Sequence, residues 1–471
     1  MKKEIKIGVC AFLSVATTAI CAADKEVKNT DVSNTSAPEV PVVKAPFVND
    51  ICLPSKMWML QGEQNDIFVQ PFLKRWRPYN DFVRFSLPRK VGKPARALSH
   101  VATIKDAPDG TMLTVDLVNG DEFETIKTCK TKLMMAKPGV GTKPVTVQII
   151  GDSFTQGKFY EYALLNSGFV PNIKMVGLRK GSEGQYNEGR GGWALSTYFN
   201  VPKRDDRSYH GFMQPEDGRY WGARGFWRMA WRCALKTQPK GFEPTYSCAR
   251  FDDYVKNFDE KTGVLLNPQT GDMQYDPETK TMYRFDSKSW VETDISKIKW
   301  GFDYGKYLDM WKIEPPQFLF VLLGLNDFRG SLTADFTQWG KNITAMKESY
   351  LKACPNGKFV ICIPCSSCGS LDNVAGDFTV KQNASMWRFR KWLIDNFDNR
   401  EKEGFYLLDA GVATDNENGY RFLSEKDASY TAPYFKGEGT LKVQTGNPHP
   451  YPNYPTMGYP FAAFIQYYRE K

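Results

Sequence analysis

The sequence predicts an α/β protein, a doubly wound parallel sheet preceded by a small all-β sandwich, and three observations predict it. The stretch Val145–Gly157 is an apolar strand that ends at a glycine and passes through a polar turn toward a helical run. Further short apolar strands alternate with helical patterns over roughly the last three hundred residues, enough chain for a large core. Residues 47–136 instead show short alternating runs with frequent turn signals, which are typical of antiparallel sheets.

Residues 1–23 predict a secretory signal peptide. Lysines within the first six residues precede an apolar run over residues 7–20, and Ala22–Ala23 supply the small residues of a cleavage site. The run is too short to span a bilayer permanently, so no stable membrane insertion is expected. Cys21 follows the bulky Ile20, where a lipidation site has a small residue, and the sequence therefore favours cleavage over a lipid anchor. A periplasmic or secreted protein is expected.

The exported chain begins with a predicted flexible linker at residues 24–46, which is rich in Lys, Asn, Ser, Thr and Pro. Residues 47–136 then predict the sandwich, an accessory domain of immunoglobulin-like type. Glycines and prolines between residues 137 and 144 predict the passage to a second domain at residues 141–471. Cleavage removes three lysines and Glu4 from a chain of formal charge +9, which leaves about +7. This mild excess does not favour nucleic acid as a partner.

The second domain is predicted to contain five strands and their helices. After the strand that starts at Val145, the expected strands are Ile173–Val176, Phe318–Leu323, Lys358–Ile363 and Phe405–Asp409, and the expected helices are Phe159–Leu165, Asp335–Ala353, Thr379–Phe397 and Thr456–Glu470. An aromatic-rich insertion at about residues 200–305 is expected between the second and third strands. It should hold a helical piece at Gly225–Thr237 and a hairpin from Val264–Asn267 to Met282–Trp290. Most of its aromatic rings are expected in the core, with one or two forming a platform for sugar rings.

Ser153 is the candidate nucleophile. It lies in the turn Gly151–Thr155, directly after the first strand, and catalytic groups collect at the carboxyl ends of parallel strands. The alternative is that Ser153 only caps the following helix, because serine is favoured there. The pentapeptide by itself does not separate the two roles.

A serine esterase also needs a general base and donors for the oxyanion. Of the three histidines, His449 lies in a proline-rich loop before the final helix, although a surface position without function is the alternative. Asn326 follows the third strand, and the glycines of the segment Glu188–Trp193 follow the second. Both segments could instead be ordinary turns, since Gly, Asn and Asp are turn formers. Their shared place at strand carboxyl ends favours a common site.

These four blocks, Gly151-Asp152-Ser153, a glycine of the second segment, Gly324-Leu325-Asn326-Asp327 and a late histidine, resemble the SGNH, or GDSL-type, hydrolase superfamily. They occur in the family's order and cover the chain from about Val145 to its end. The resemblance implies a flavodoxin-like five-stranded parallel sheet and serine-dependent ester hydrolysis. It makes Ser153 the nucleophile and a backbone donor, Gly192 (or its neighbour Gly191) a backbone donor, Asn326 a side-chain donor and His449 the base.

One position departs from the family pattern. The family usually has an aspartate three residues before the histidine, and this chain has Gly446 there. The group that orients His449 is therefore unassigned. The backbone carbonyls of Asn447 and Pro448 are close to the histidine in sequence and favour a Ser–His dyad, whereas a carboxylate from elsewhere, such as Asp409 or Asp415, would complete a triad. An ordinary α/β-hydrolase is disfavoured because Thr155 stands where its Gly-x-Ser-x-Gly elbow has the second glycine.

Export, the accessory domain and the aromatic insertion favour O-deacetylation of a carbohydrate, with an acetylated poly- or oligosaccharide as substrate and no cofactor. The alternatives are a lipid or aryl esterase, a thioesterase of the same fold, or a glycan-binding protein with weak catalysis. The sequence does not predict the sugar, the ester or the oligomeric state.

The cysteines permit disulfides in an exported protein. Ten cysteines less Cys10 and Cys21 leave eight, and plausible pairs are Cys52 with Cys129 and Cys233 with Cys248. Cys354, Cys362, Cys365 and Cys368 could supply four zinc ligands. Because Cys362 lies within a predicted buried strand, where a free cysteine packs as a small apolar group, no metal site is predicted.

Overall fold

The structure is a computed structural model in which residues 49–471 form one compact unit. It describes residues 48–75, 81–97, 100–157, 160, 162–180, 186–201, 210–225, 256–366, 380–415, 422–423, 443–444, 449 and 455–469. The predicted signal peptide (residues 1–23) and linker (residues 24–46) lie outside the described residues. So does the predicted helical piece after Gly225.

The structure is a mixed α/β protein with several sheets, and its elements have the following bounds. The strands of the N-terminal part are β1 (Lys56–Leu60), β2 (Asn65–Phe68), β3 (Asp81–Ser86), β4 (Arg96–Ala97), β5 (Val101–Ile104), β6 (Thr111–Asn119) and β7 (Thr125–Ala136). The later strands are β8 (Val145–Gly151), β9 (Ile173–Val176), β10 (Arg179–Lys180), β11 (Tyr186–Gly189), β12 (Met213–Pro215), β13 (Arg219–Ala223), β14 (Asp272–Asp276), β15 (Thr281–Phe285), β16 (Trp290–Thr293), β17 (Trp300–Phe302), β18 (Phe318–Leu322), β19 (Lys358–Ile363), β20 (Phe405–Asp409), β21 (Phe422–Leu423) and β22 (Val443–Gln444). The α-helices are α1 (Ser153–Gln156), α2 (Tyr304–Trp311), α3 (Leu325–Phe328), α4 (Thr337–Ala353), α5 (Val380–Phe397) and α6 (Tyr459–Tyr468).

The N-terminal part forms two sheets, in the strand orders β1-β7-β6-β3 and β2-β5-β4. One pairing departs from the antiparallel expectation, because β1 runs parallel to β7 with Lys56 opposite Lys132. The long stretch of chain between these two strands permits a parallel crossover, which a short hairpin turn cannot provide. The inward side chains of both sheets share one core, which includes Met57, Met59, Ile67, Val83, Phe85, Ala102, Ile104, Leu113, Val115, Leu117, Leu133 and Met135.

Strands β1 and β7 are buried on both faces where Met57–Leu60 pairs with Leu133–Ala136. Side chains alternate along a strand, so Trp58 and Leu60 point away from Met57 and Met59. Trp58 and Leu60 belong to the larger core of the C-terminal part, and the Trp58 ring lies 4.9 Å from the ring of Phe464 on α6. The apolar run at residues 57–60 therefore contributes to two cores.

The central sheet contains five parallel strands in the order β9-β8-β18-β19-β20. All seven residues of β8 are buried, as expected for a central strand covered on both faces. The bounds of the strands predicted in this sheet agree with the structure to within a residue. The sheet also contains β11, which sequence analysis missed. It lies beside the carboxyl end of β8, with Glu188 opposite Ile150.

The helices agree with expectation in α4, α5 and α6. The predicted helix at Phe159–Leu165 is instead a short π-helical turn at Tyr162–Asn166. The predicted hairpin is also displaced. Its arms are β14 and β15, which pair antiparallel, and within the described chain the segment 264–267 contributes only an isolated bridge between Leu265 and Phe258. The turn lies at Asp276, whose carboxylate accepts the Glu278 N–H at 3.0 Å, a common turn interaction.

The predicted disulfide between Cys52 and Cys129 is wrong, because both thiols are free. Cys129 Sγ instead donates to the carbonyl of Ile51 at 3.6 Å, and Cys52 is buried. Cys354, Cys362 and Cys365 are free as well, whereas Cys233, Cys248 and Cys368 lie outside the described residues. In the described ranges, no cluster of His, Cys, Asp and Glu side chains is arranged to hold a metal ion. No helix in this part of the chain has the length and apolar composition needed to cross a bilayer.

Candidate active site at the carboxyl edge of the sheet

Ser153 is the first residue of α1, directly after β8 and Asp152. Asp152 is the residue that caps this helix, because its Oδ1 accepts the Phe154 N–H at 2.9 Å. Capping therefore does not account for Ser153, whose side chain is half-buried. The serine stands at the carboxyl end of a central parallel strand, where ligands bind in open α/β sheets.

Two glycines allow α1 to pack directly against the strand ends. A Cβ at Gly151 would lie 2.0 Å from Thr155 Oγ1, and a Cβ at Gly189 would lie 2.2 Å from the Gln156 nitrogen. Both approaches are too close for any side chain. The glycines of the first and second blocks thus bring the ends of β8 and β11 against the turn that carries Ser153.

The glycine pair after β11 borders Ser153. A Cβ at Gly191 would lie 3.9 Å from the Ser153 Cβ, and the Gly191 N–H donates to Gln156 Oε1 at 2.7 Å. Gly192 is exposed, with open space around it and a φ of +77°, which favours glycine. Because the Gly191 N–H is already engaged, Gly192 is the better candidate for a backbone donor to a ligand.

Asn326 lies on α3, which begins directly after Gly324, two residues beyond the end of β18. Gly324 has φ +118°, and a Cβ there would lie 2.1 Å from Cε1 of Phe389. Asn326 Nδ2 donates to the Trp193 carbonyl at 3.1 Å and lies 3.4 Å from Asp152 Oδ2. The amide is therefore next to the Ser153 turn, with one N–H well engaged and the other in a long contact.

His449 lies beside the Ser153 turn. Its ring centroid is 5.5 Å from that of Phe154, the residue after Ser153. The other histidines are elsewhere: His100 directly precedes β5, and His210 is 1% exposed with its Nδ1 accepting the Phe212 N–H at 3.1 Å. Burial holds the pKa of His210 well below its usual range. Gly446 lies outside the described residues.

The carboxyl groups of Asp152 and Asp327 border the site. Both residues belong to the sequence motifs, but the sequence assigned neither of them a role. Burial raises the pKa of Asp152 to about 7, and the nearby charge of Asp327 adds to the rise. Burial also raises the pKa of Asp327 to about 6, although its carboxylate accepts the Leu195 N–H at 3.0 Å. The sequence gives one indication that these carboxyl groups belong to the site, because each residue comes after the end of a strand. With a pKa of about 7, Asp152 is protonated in about half of the molecules near neutral pH, which reduces the negative charge next to a developing oxyanion.

The two acids named from the sequence as supports for His449 differ in their environment. Asp409, the last residue of β20, forms a buried ion pair with Arg390 and also accepts the Val412 N–H at 3.3 Å. Asp415 follows the short 3-10 turn Gly411–Ala413 and is 9% exposed. Asp409 therefore already has a charged partner.

Known proteins were compared with this chain by sequence and by structure. No protein-family model and no curated protein matches the chain. The crystal structure of a possible lipase from Chitinophaga pinensis DSM 2588 is similar at 10% identity, covering 69% of this chain and 98% of that chain with a TM-score of 0.29.

Proposed function

We propose that this protein is a serine ester hydrolase of the SGNH type, with Ser153 as the nucleophile and His449 as its general base. The observation that carries the proposal is the meeting of four separate chain segments around one turn. Ser153 begins α1, Gly192 follows Gly191, which lies against Ser153 and Gln156, Asn326 lies next to Asp152, and His449 lies next to Phe154. The strand order β9-β8-β18-β19-β20 supports it further, because this is the order of flavodoxin-like sheets.

The proposed reaction proceeds in two halves. His449 takes the Ser153 hydroxyl proton as Oγ attacks the ester carbonyl, and the carbonyl electrons move to the oxygen. The tetrahedral intermediate collapses, and the alcohol leaves with the proton from His449. Water, deprotonated by His449, then attacks the acyl-serine, and the free acid is released while Ser153 regains its proton.

The oxyanion donors of the proposal are the N–H groups of Ser153 and Gly192 and the side-chain amide of Asn326. A donor stabilises an oxyanion best when it is already fixed before the reaction. The bond from Asn326 Nδ2 to the Trp193 carbonyl fixes the amide plane, and the second N–H makes only the 3.4 Å contact to Asp152. A carbonyl oxygen of the substrate would replace this weak contact.

The proposed substrate is an acetylated poly- or oligosaccharide outside the cytoplasm, from which the enzyme removes acetyl groups. Partly exposed aromatic rings on the inserted strands, such as Trp300, support this choice because flat rings stack on sugars. An exported chain would meet such a polymer in the periplasm or outside the cell. Hydrolysis of lipid, aryl or thioesters is the alternative within the same chemistry.

The test compares purified wild-type protein with Ser153→Ala on p-nitrophenyl acetate. Wild type should hydrolyse the ester and react with a fluorophosphonate at Ser153, and the variant should lose nearly all turnover without a change in melting temperature. Near-wild-type turnover by a folded Ser153→Ala protein would refute the nucleophile. A wild-type protein that binds acetylated glycans without releasing acetate would be a binding protein. Acetate release from a panel of acetylated polysaccharides then identifies the substrate.

A further inference from the structure

A buried ion pair lies at the base of the glycine loop that borders Ser153. Arg190 donates to Glu188 at 2.9 Å, and the two side chains are 4% and 0% exposed. A buried pair of charges loses much of its mutual attraction to desolvation, and apolar residues of similar size often give equal stability. Stability alone therefore does not explain why charges occupy these positions.

The Glu188 carboxylate is held by three other elements. Its Oε1 accepts the Leu178 N–H at 2.7 Å and the Tyr307 hydroxyl at 2.6 Å. Gln148, in the middle of β8, donates to the Tyr307 oxygen at 3.0 Å and accepts from Tyr304. The carboxylate is thus fixed relative to β8, to α2 and to the chain after β9.

Arg190 extends this support to the loop. Its backbone N–H donates to the Gly151 carbonyl at 2.8 Å, and its guanidinium carbon lies 4.9 Å from the centroid of the Trp193 ring. Tyr198 packs edge-on against the same indole at 4.8 Å. The Trp193 carbonyl in turn accepts from Asn326 Nδ2. A chain of direct contacts therefore runs from Glu188 through Arg190 and Trp193 to Asn326.

Gly191 and Gly192 lie between Arg190 and Trp193, which are two members of this series of contacts. Glycines have the largest backbone freedom, so a donor N–H on an unsupported glycine would not be held in one position. We propose that the Glu188–Arg190 pair is a positioning unit, which fixes both oxyanion donors, Gly192 N–H and Asn326 Nδ2, by holding Trp193 and the ends of the glycine loop. This inference rests on the proposed esterase function and assigns the pair no contact with substrate.

The main test variant is the double substitution Glu188→Gln with Arg190→Met, which removes both charges and leaves neither one unpaired. Arg190→Lys is the second variant, because it keeps the charge and loses the planar group over Trp193. We expect the double variant to lower kcat on p-nitrophenyl acetate by about tenfold to a hundredfold, since small misplacements of catalytic groups have effects of this size. KM should change little, and Arg190→Lys should lie between the double variant and wild type.

The matched control is the pair Arg224–Asp276 on the inserted sheet. It combines an ion pair at 3.3 Å with a guanidinium 4.4 Å from the Tyr283 ring, but it contacts none of the proposed donors. The double substitution Arg224→Met with Asp276→Asn should leave kcat unchanged.

The deciding measurement repeats the Glu188→Gln/Arg190→Met change in an Asn326→Ala background. If the pair acts through the donors, its effect on kcat should be several-fold smaller there, because residues in one network are not additive. Equal losses in both backgrounds, or an unchanged kcat in the folded double variant, would overturn the inference. The same holds if the double variant does not fold and folded Arg190→Lys keeps the wild-type kcat. Loss of the proposed function has a different signature, namely wild-type turnover that is absent or independent of Ser153.

Discussion

Replacing Asn326 with alanine tests the most specific feature of the site. The side chain is predicted to donate one N–H to the oxyanion while the other is bonded to the Trp193 carbonyl at 3.1 Å. Asn326→Ala removes both. The first loss affects the transition state, and the second affects the folded protein.

The two effects differ in size and in the quantity that reports them. Loss of one oxyanion donor costs about a hundred- to a thousand-fold in kcat, or roughly 3–4 kcal/mol in the barrier. Loss of the bond to Trp193 leaves a partly buried carbonyl without its donor, which costs about 1–3 kcal/mol of unfolding free energy. The contact with Asp152 Oδ2 at 3.4 Å is too long to contribute much. We therefore expect a large fall in kcat, a nearly constant KM and a modest fall in melting temperature.

The assay is steady-state hydrolysis of p-nitrophenyl acetate at a temperature at which thermal melts show each variant folded. Asn383→Ala is the matched control, because its amide also donates to a backbone carbonyl, that of Leu73, at 2.9 Å in a buried place on α5. It should lose comparable stability and keep kcat. A folded Asn326→Ala protein with wild-type kcat would refute the oxyanion role, and an unchanged kcat with a raised KM would make Asn326 a binding residue.

Two further outcomes are expected. His449→Ala should abolish turnover, whereas His210→Gln should keep the wild-type pH–rate profile, because buried His210 cannot reach a substrate proton; a shifted profile in His210→Gln would contradict this. The raised pKa of Asp152 means that the folded state binds its proton more tightly than the unfolded state, so its contribution to stability is complete below about pH 4 and is lost as pH rises through about 7. The contribution is on the order of 4 kcal/mol at most. Asp152→Asn should flatten the fall of melting temperature between about pH 4 and pH 7, and an unchanged slope would show that Asp152 is not responsible.

The central strands were predictable from sequence because burial on both faces leaves a continuous apolar run, as in Phe318–Leu322. Strand β11 has no such run. Its buried residues include Asn187 and Glu188, and Glu188 is satisfied by Arg190 and Tyr307. A local pattern cannot reveal partners that lie more than a hundred residues away. The parallel pairing of β1 with β7 was missed because a local pattern does not show which distant strand is the neighbour.

The sequence indicated which residues belong to the candidate site, but it did not indicate the hydrogen bonds and distances between them. Parallel strands end at one edge of a sheet, so motifs that follow different strands are expected to meet there. The bond between Asn326 and the Trp193 carbonyl could not be foreseen, because any residue type supplies a backbone carbonyl. The pairing of Cys52 with Cys129 is wrong because two cysteines within one predicted unit need not have side chains that point toward each other.

Because position 446 is a glycine, the group that orients the His449 imidazole has to come from another part of the fold. On the C-terminal side, the Thr456 hydroxyl donates to the Ala413 carbonyl at 2.8 Å, and a Cβ at Gly458 would lie 3.0 Å from the Tyr160 Cα. The segment that follows the histidine loop is therefore fixed against both the turn after β20 and the chain after α1. An imidazole needs a fixed orientation and one engaged nitrogen, and a backbone carbonyl can supply both as an aspartate does. The absence of an aspartate at position 446 consequently does not argue against catalysis by His449.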